Sequence, residues 1–294
     1  MTLFEEFKKG LKAVPVEEVL DLVFYRPLAF VLVKAIYHTQ ITPNQLTLAS
    51  MVLGIVGGAA YAFGTPLAFV VGAVFYLLYD VVDCSDGQLA RLKHAGTPIG
   101  RILDGVADYT ASLAAYVGIG IGYACRSDHL LLMWLLTAAA GFSNAIQSGL
   151  LDFYRNRYLD IVLGRTSILD DEQQNLREAY EGMKVRQEHA LERGLIWIYL
   201  RYSAVQRGLT GKKRDQRPAA NVNAAAYIRE NRVRMHFWTY LGPTTQWSFL
   251  IICSFLNRLD VYLWGILVVG NIGAIILSLL QNRSDLRLHL NEAA

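Results

Sequence analysis

The chain has 294 residues, 53% of them hydrophobic, with a mean hydropathy of +0.28 and a net charge of only +3. That is too apolar for an ordinary soluble domain, and the length limits the fold to one bundle with at most a modest extra module. Three cysteines (Cys84, Cys125, Cys253) exclude a disulfide framework, and the small net charge argues for no particular partner.

Met1–Lys12 interleaves Glu5, Glu6, Lys8, Lys9 and Lys12, with no apolar core or cleavage site. It does not read as a secretory signal, so insertion is expected through the protein's own spans. Residues 1–40 read as short amphipathic helices broken at Pro15 and Pro27. Leu28–His38 is apolar but holds Lys34 and is too short to cross a bilayer, which predicts an interfacial helix. Charge-free stretches follow at 39–79, 109–125, 130–151, 237–257 and 261–282. Gly64-Thr65-Pro66 splits the first of them as a turn. The resulting pattern predicts an all-α, six-transmembrane-helix bundle, with spans near 44–63, 66–91, 98–124, 130–152, 238–257 and 260–281. The divisions are then an N-terminal interfacial segment at 1–40, four helices at 41–155, a cytoplasmic helical insertion at 156–236 and two helices with a tail at 237–294.

Small residues at Gly54, Gly57 and Gly58, and again at Gly118, Gly120 and Gly122, predict close helix crossings. Segment 152–236 holds 16 of the 28 basic residues, against 11 acids. Asp170-Asp171-Glu172 starts a polar helix there, and Gly194–Arg207, with Trp197, Tyr199 and Tyr202, suits an interface. Lys212-Lys213-Arg214 lies in a loop ended by Pro218. With acids and bases so mixed, anionic lipid headgroups fit this segment better than nucleic acid. The positive-inside rule puts it, both termini and the turn between spans two and three on the cytoplasmic side.

That turn carries the chemistry. Asp83, Asp86, Gly87, Ala90 and Arg91 recur as i, i+3, i+4, i+7 and i+8, one stripe of one helix, and Asp80 extends it upstream. Gly100, Asp104 and Asp108 step by four along the next helix. Facing each other, the stripes would gather four carboxylates at membrane depth. Such acids are costly and repel one another unless cations lie between them. Carboxylates favour hard ions such as Mg²⁺ or Mn²⁺, so Cys84 reads as a small helix residue rather than a soft-metal ligand. Gly87, Ala90 and Gly100 leave room for a ligand. Ser85 has no evident base, and His94 reads as an interfacial residue.

The arrangement Asp83-x-x-Asp86-Gly87-x-x-Ala90-Arg91-x8-Gly100-x-x-x-Asp104-x-x-x-Asp108 resembles the signature of the CDP-alcohol phosphotransferase family, matching it at every fixed position. Ile41-Thr42-Pro43-Asn44-Gln45-Leu46-Thr47 is similar to that family's approach to its first span. The resemblance covers residues 25–155 and leaves 156–236 unassigned. It implies a six-helix membrane enzyme, usually a homodimer, of phospholipid biosynthesis. Such an enzyme cleaves a CDP-linked donor, passes the substituted phosphoryl group to an alcohol and releases CMP. It further implies that Asp83, Asp86 and Asp104, with Asp108 close by, hold one or two divalent cations. Asp108 would be the general base, and Gly87, Ala90, Arg91 and Gly100 would line the CDP site. Arg155-Asn156-Arg157 resembles an Arg-x-Arg of members that accept inositol phosphate, where two arginines clamp a phosphate; ordinary cytoplasmic anchoring reads equally well. Asp80 is a partner of Arg91, a ligand-orienting group or an interfacial residue. A cation transporter would explain the acids but not Arg91 or the glycines, and a non-catalytic membrane protein would not require the intact motif.

Overall fold

A computed structural model describes residues 3–10, 16–163 and 224–288 and, between the last two blocks, 176–178, 180–183, 193–194, 196–197 and 199–201. Among these residues every regular element is helical. The acidic start at Asp170–Glu172 and the basic loop at Lys212–Arg214 fall outside them.

Helix α1 (Leu3–Lys9) lies against α2 (Arg26–Ile36): Lys34 Nζ is 2.7 Å from Glu6, and Phe7 meets Phe30 edge to face at 5.4 Å. Pro27 does not break the chain as expected. It sits in the first turn of α2, where the missing N–H costs nothing, and a π-helical turn at Asp21–Tyr25 leads into it.

Three long helices form the frame of the site: α3 (Pro43–Ala62), α4 (Pro66–Leu92) and α5 (Pro98–Ala124). All three open with the same dipeptide. Thr42, Thr65 and Thr97 are N-caps whose hydroxyls accept from the N–H groups of Gln45, Ala68 and Gly100. Pro43, Pro66 and Pro98 follow in the first turn, where proline's fixed φ suits a helix start. In α3 the cap is a full box, with Gln45 Oε1 accepting from the Thr42 N–H at 3.0 Å. Gly64 makes the turn from α3 to α4 at a φ of +64°, in the region glycine adopts without a Cβ penalty.

α3 crosses α5 on a seam of small residues. A Cβ at Gly54 would lie 2.5 Å from the Ala111 Cβ, one at Gly58 would run into the Ala114 backbone, and one at Gly118 into the Gly58 carbonyl. The glycine runs therefore do what the sequence led one to expect, letting backbones touch. Beside the seam, aromatic rings make the core. Tyr61 stacks on Tyr76 at 5.5 Å and Tyr76 on Trp247 at 4.9 Å. Their hydroxyls are paired, as buried phenols must be: Tyr61 with Ser254 at 2.9 Å and Tyr76 with the Ala111 carbonyl at 2.9 Å.

The fourth helix, α6 (Leu130–Leu163), runs eleven residues past the expected end of its span. Helices α7 (Ala224–Thr239) and α8 (Pro243–Phe255) follow, so the stretch expected as one span at 238–257 is a turn and a 13-residue helix. At 1.5 Å per residue α8 is about 20 Å long, short of a hydrocarbon core near 30 Å. The last run comprises α9 (Leu259–Trp264), a π-helical segment (Gly265–Gly270) and α10 (Asn271–Arg287). Side chains satisfy groups around the π segment. Gln147 Nε2 donates to the Ile266 carbonyl at 2.9 Å, Asn271 Nδ2 to the Leu267 carbonyl at 2.8 Å, and Gln246 Nε2 to Gln147 Oε1 at 3.0 Å. This network ties α6, α8 and α10 together inside an otherwise apolar bundle.

Among the described residues four helical runs are long and apolar enough to cross a membrane: Pro43–Ala62, Pro66–Leu92, Leu130–Val162 and Leu259–Arg287. Outward-facing Leu67, Phe142 and Val269 are each at least two-thirds exposed, as a lipid-facing surface requires.

Glu18 links the chain's beginning to its end. Gly242, the N-cap of α8, has no side chain to offer; the Glu18 carboxylate takes its place, accepting from Thr245 N at 2.8 Å and Thr245 Oγ1 at 2.9 Å. Burial pushes the Glu18 carboxyl up to about 7, against the opposing pull of Arg155 and Thr245 and with the help of Asp21. A carboxyl raised in the fold above its unfolded value near 4.5 keeps a proton that the unfolded chain gives up. Stability is therefore lost as pH climbs from about 4.5 to about 7. Glu18→Gln keeps an oxygen for Thr245 and cannot ionise. Thermal unfolding in detergent should show the variant gaining on the wild type between pH 5 and pH 8; a difference constant with pH, or of the opposite sign, would refute this assignment.

Candidate active site

The predicted stripes face each other. α4 carries Asp83 and α5 carries Asp104 and Asp108, and one ligand oxygen from each lies within 4.8 Å of the others. Asp86, one turn further along α4, is within electrostatic reach of Asp83, but its carboxylate is held by the Thr47 hydroxyl of α3. Three of the four predicted metal residues thus form one cluster, and the fourth stands beside it with a hydroxyl partner. The dipeptide caps explain the register: Thr97-Pro98 starts α5 so that Asp104 and Asp108 come level with Asp83, across the short 93–97 connection.

The donor set fits a hard divalent cation. All ligand atoms are carboxylate oxygens, and Asp83 Oδ1 is buried with no hydrogen-bond partner while facing the charges of Asp108, Asp104 and Asp86. An orphaned carboxylate oxygen among like charges is what a cation would satisfy. Cys84 points elsewhere, with its thiol 3.1 Å from Asp21 Oδ1. Ser85 donates to the Val81 carbonyl at 2.6 Å, an ordinary bond within its own helix.

Next to the carboxylates a cleft of about 80 Å³ opens between the start of α3, the end of α4 and the start of α5. Gly87, Ala90 and Gly100 line it, as the spacing predicts, together with Asp86 and Asp104. A Cβ at Gly100 would lie 2.9 Å from Asn44 Oδ1 and 3.0 Å from Thr97 Oγ1, so any larger residue would narrow the cleft. Asn44 and Thr47, quoted from the sequence only as part of the 41–47 stretch, also line it, and so do Thr97 and Arg101, which were not singled out. Their signal was present in the Thr-Pro caps, which fix where α3 and α5 begin and hence which residues flank the carboxylates.

Arg91 departs from the arrangement expected of it. It is not among the cleft's walls. Its Nε donates to the Gly10 carbonyl at 2.7 Å, and its Nη2 is buried without a partner. The guanidinium folds back over Gly87, where an added Cβ would lie 3.2 Å from Nη1. Asp80 is buried, with Oδ2 unpartnered, among the charges of Asp21, Glu18, Asp108 and Arg26. The cation whose charge reaches it is Arg26, which also pairs with Glu17 at 2.7 Å and Asp21 at 3.2 Å, and not Arg91.

The two arginines at the end of α6 have different surroundings. Arg157 Nη1 is 2.8 Å from Asp285, whose side chain is fully buried, and this pair fastens α6 to α10. Arg155 lies 3.6 Å from Asp152 and within electrostatic reach of Glu18, and its Nε is buried without a partner.

Residues 40–163 match the family model of the CDP-alcohol phosphatidyltransferases. A protein of Rubrobacter xylanophilus named bifunctional IPC transferase and DIPP synthase is 30% identical over 127 residues, 43% of this chain and 26% of its own length. The protein of the same name from Thermococcus kodakarensis is 32% identical over 69 residues, covering 24% and 15%. The CDP-diacylglycerol–glycerol-3-phosphate 3-phosphatidyltransferase of Rickettsia bellii is 35% identical over 66 residues, covering 22% and 36%. The chain thus spans between about one seventh and just over one third of these relatives.

The cluster makes a direct prediction. Mn²⁺ titrated into the detergent-purified protein and followed by electron paramagnetic resonance should bind, and Asp83→Asn should weaken that binding at least tenfold. Retained affinity in the variant would remove Asp83 from the ligand set.

Proposed function

We propose that this chain, which through residues 40–163 belongs to the CDP-alcohol phosphatidyltransferase family, passes a substituted phosphoryl group from a CDP-linked donor to the hydroxyl of an alcohol and releases CMP. The observation that carries the reading is the convergence of Asp83, Asp104 and Asp108 beside a cleft walled by Gly87, Ala90 and Gly100. Asp83, Asp104 and Asp108, with Asp86 adjoining, are the residues that would hold Mg²⁺ or Mn²⁺. Bound there, such an ion supplies charge neutralisation for the donor's pyrophosphate.

The protein's own groups supply the rest. The small residues let the donor's cytidine and phosphates approach the α4 and α5 backbones closely. Asp108 accepts the proton of the acceptor hydroxyl. The acceptor oxygen bonds to the phosphorus distal to cytidine, the pyrophosphate P–O bond breaks, and CMP leaves with the electron pair. Arg91, turned towards Gly10, would take part in donor binding only after rotating about its side-chain bonds, so its part in lining the CDP site is a proposal that needs that movement.

The architecture follows the same reading. α5 and α8 complete six membrane helices with the four apolar runs, the bilayer thinning to meet the short α8, and the cleft and both termini face the cytoplasm. α2 lies in the interface, the 156–236 insertion is cytoplasmic, and two copies of the chain form the working unit. The acceptor is an alcohol that already bears a phosphate, as glycerol 3-phosphate does in the name of the Rickettsia bellii relative. Inositol phosphate is a second acceptor of this kind. Arg155, with its unpartnered Nε, is the better placed of the two arginines to meet that phosphate. Arg157 would have to leave Asp285 to do so.

The test is CMP release by the purified chain with Mg²⁺ or Mn²⁺, offering CDP-diacylglycerol with phosphorylated and free alcohols, and CDP-choline with diacylglycerol. Metal-dependent release with at least one pair is expected, falling roughly 10²–10⁴-fold in Asp108→Asn, the range for loss of a general base. No release from any pair would overturn the reading. In the same assay Arg155→Ala should raise KM for a phosphorylated acceptor about tenfold or more, the loss of one charge-assisted hydrogen bond, and leave the donor's KM unchanged. Equal changes in both constants would remove Arg155 from the acceptor site.

A further inference from the structure

Asp108 is held by a residue that the signature does not contain. The Tyr79 hydroxyl donates to Asp108 Oδ1 at 2.7 Å. Tyr79 is 1% exposed and its ring cannot swing away. Trp247 of α8 meets it edge to face at 5.5 Å, Tyr76 lies at 6.1 Å on its own helix, and on the α3 side the position of a Gly54 Cβ is 3.5 Å from Tyr79 Cδ2. A larger residue at Gly54 would press on this ring.

Tyr79 and Asp83 are one turn apart on the same face of α4. The helix that contributes one carboxylate to the cluster therefore also reaches across to fix a second carboxylate on α5. Repulsion from Asp83 and Asp104 favours Asp108 rotamers that separate the charges, and the Tyr79 hydroxyl opposes that drift. A phenol–carboxylate hydrogen bond of this length is of the strong, charge-assisted kind and sets the plane of the carboxylate.

We infer that Tyr79 is the positioning residue of the site: its hydroxyl holds the Asp108 carboxylate in the orientation in which it joins Asp83 and Asp104 around a divalent cation. The inference rests on the reading of these acids as a metal-dependent reaction centre, but its test does not need turnover. Partners that orient metal ligands are worth about 10–100-fold in metal affinity or activity.

The experiment compares Tyr79→Phe with Tyr76→Phe in the full-length protein. Tyr76 is an equally buried phenol of the same helix, whose hydroxyl goes to the Ala111 carbonyl instead of a carboxylate. Thermal unfolding and size-exclusion profiles establish that both variants fold. Mn²⁺ affinity is then read by electron paramagnetic resonance, alone and in the Asp108→Asn background. Tyr79→Phe should weaken Mn²⁺ about tenfold or more, Tyr76→Phe by less than twofold, and Tyr79→Phe should add nothing once Asp108 is already Asn. Where CMP release is measurable, kcat should follow the same order with both KM values within threefold. Three outcomes overturn the assignment: unchanged Mn²⁺ affinity in Tyr79→Phe, the same loss in Tyr76→Phe, or the full loss persisting in the Asp108→Asn background. Absence of CMP release in the wild type would refute the proposed function alone, since the Mn²⁺ comparison still reads the position of Asp108.

Discussion

Like charges gathered between packed helices are the constraint around which this molecule is arranged. Asp83, Asp104 and Asp108 bring carboxylate oxygens together between helices that are otherwise apolar. Bringing them together opposes folding unless something else forces the helices to meet there. The force comes from packing some turns away. The Gly54–Gly58 and Ala111–Gly118 seam locks α3 to α5, the Tyr61–Tyr76–Trp247 stack locks α4 to α8, and neither contains a charge. The site is thus held by contacts that do not share its chemistry, which lets the carboxylates stay poised for a cation.

A second polar layer lies on the other side of the acids. Arg26, Glu17, Asp21, Glu18 and Asp80 sit together under the N-terminal segment, and Gln147, Gln246 and Asn271 run through the second half of the bundle. Buried polar groups in a membrane protein are tolerated where they find partners within the protein, and nearly all of these do. Among the described residues, Asp80 Oδ2, Asp83 Oδ1, Gln88 Oε1, Arg91 Nη2, Arg155 Nε and Trp238 Nε1 are buried without a hydrogen bond or an ion pair. Two of them, Asp83 and Arg91, belong to the motif, and Arg155 belongs to the Arg-x-Arg pair.

The acidic stripes were legible because helical periodicity converts spacing directly into a face. The same is true of the glycine seam and the turn at Gly64. The three Thr-Pro starts were not read as helix caps, although their capping chemistry is local, and they fix the register of the walls around the cleft. What the sequence could not convey was direction at the ends of long side chains. Arg91 has the right position on α4, yet its guanidinium finds the Gly10 carbonyl, a partner 81 residues away that no local pattern announces. Tyr79 looked like one more aromatic in an apolar run because its hydroxyl partner is on another helix. The apolar stretch at 237–257 read as one span because hydropathy ignores Gly242-Pro243, where the helix actually stops and restarts. Arg157 read as a surface anchor or clamp because the buried Asp285 that claims it comes 128 residues later.

The Glu18 cap also fixes an order of assembly. Glu18 leaves the ribosome long before Thr245 exists, and every helix that carries the acidic cluster lies between them. Until α8 has been made, Glu18 has no amide to accept, and until Glu18 arrives, the first turn of α8 has no side-chain cap. The contact closes a loop through most of the chain, so it belongs among the last to form. Until α8 is in place, the N-terminal segment is held by its nearer contacts, Glu6 with Lys34 and the Gly10 carbonyl with Arg91, and lacks this tie to the closing helices.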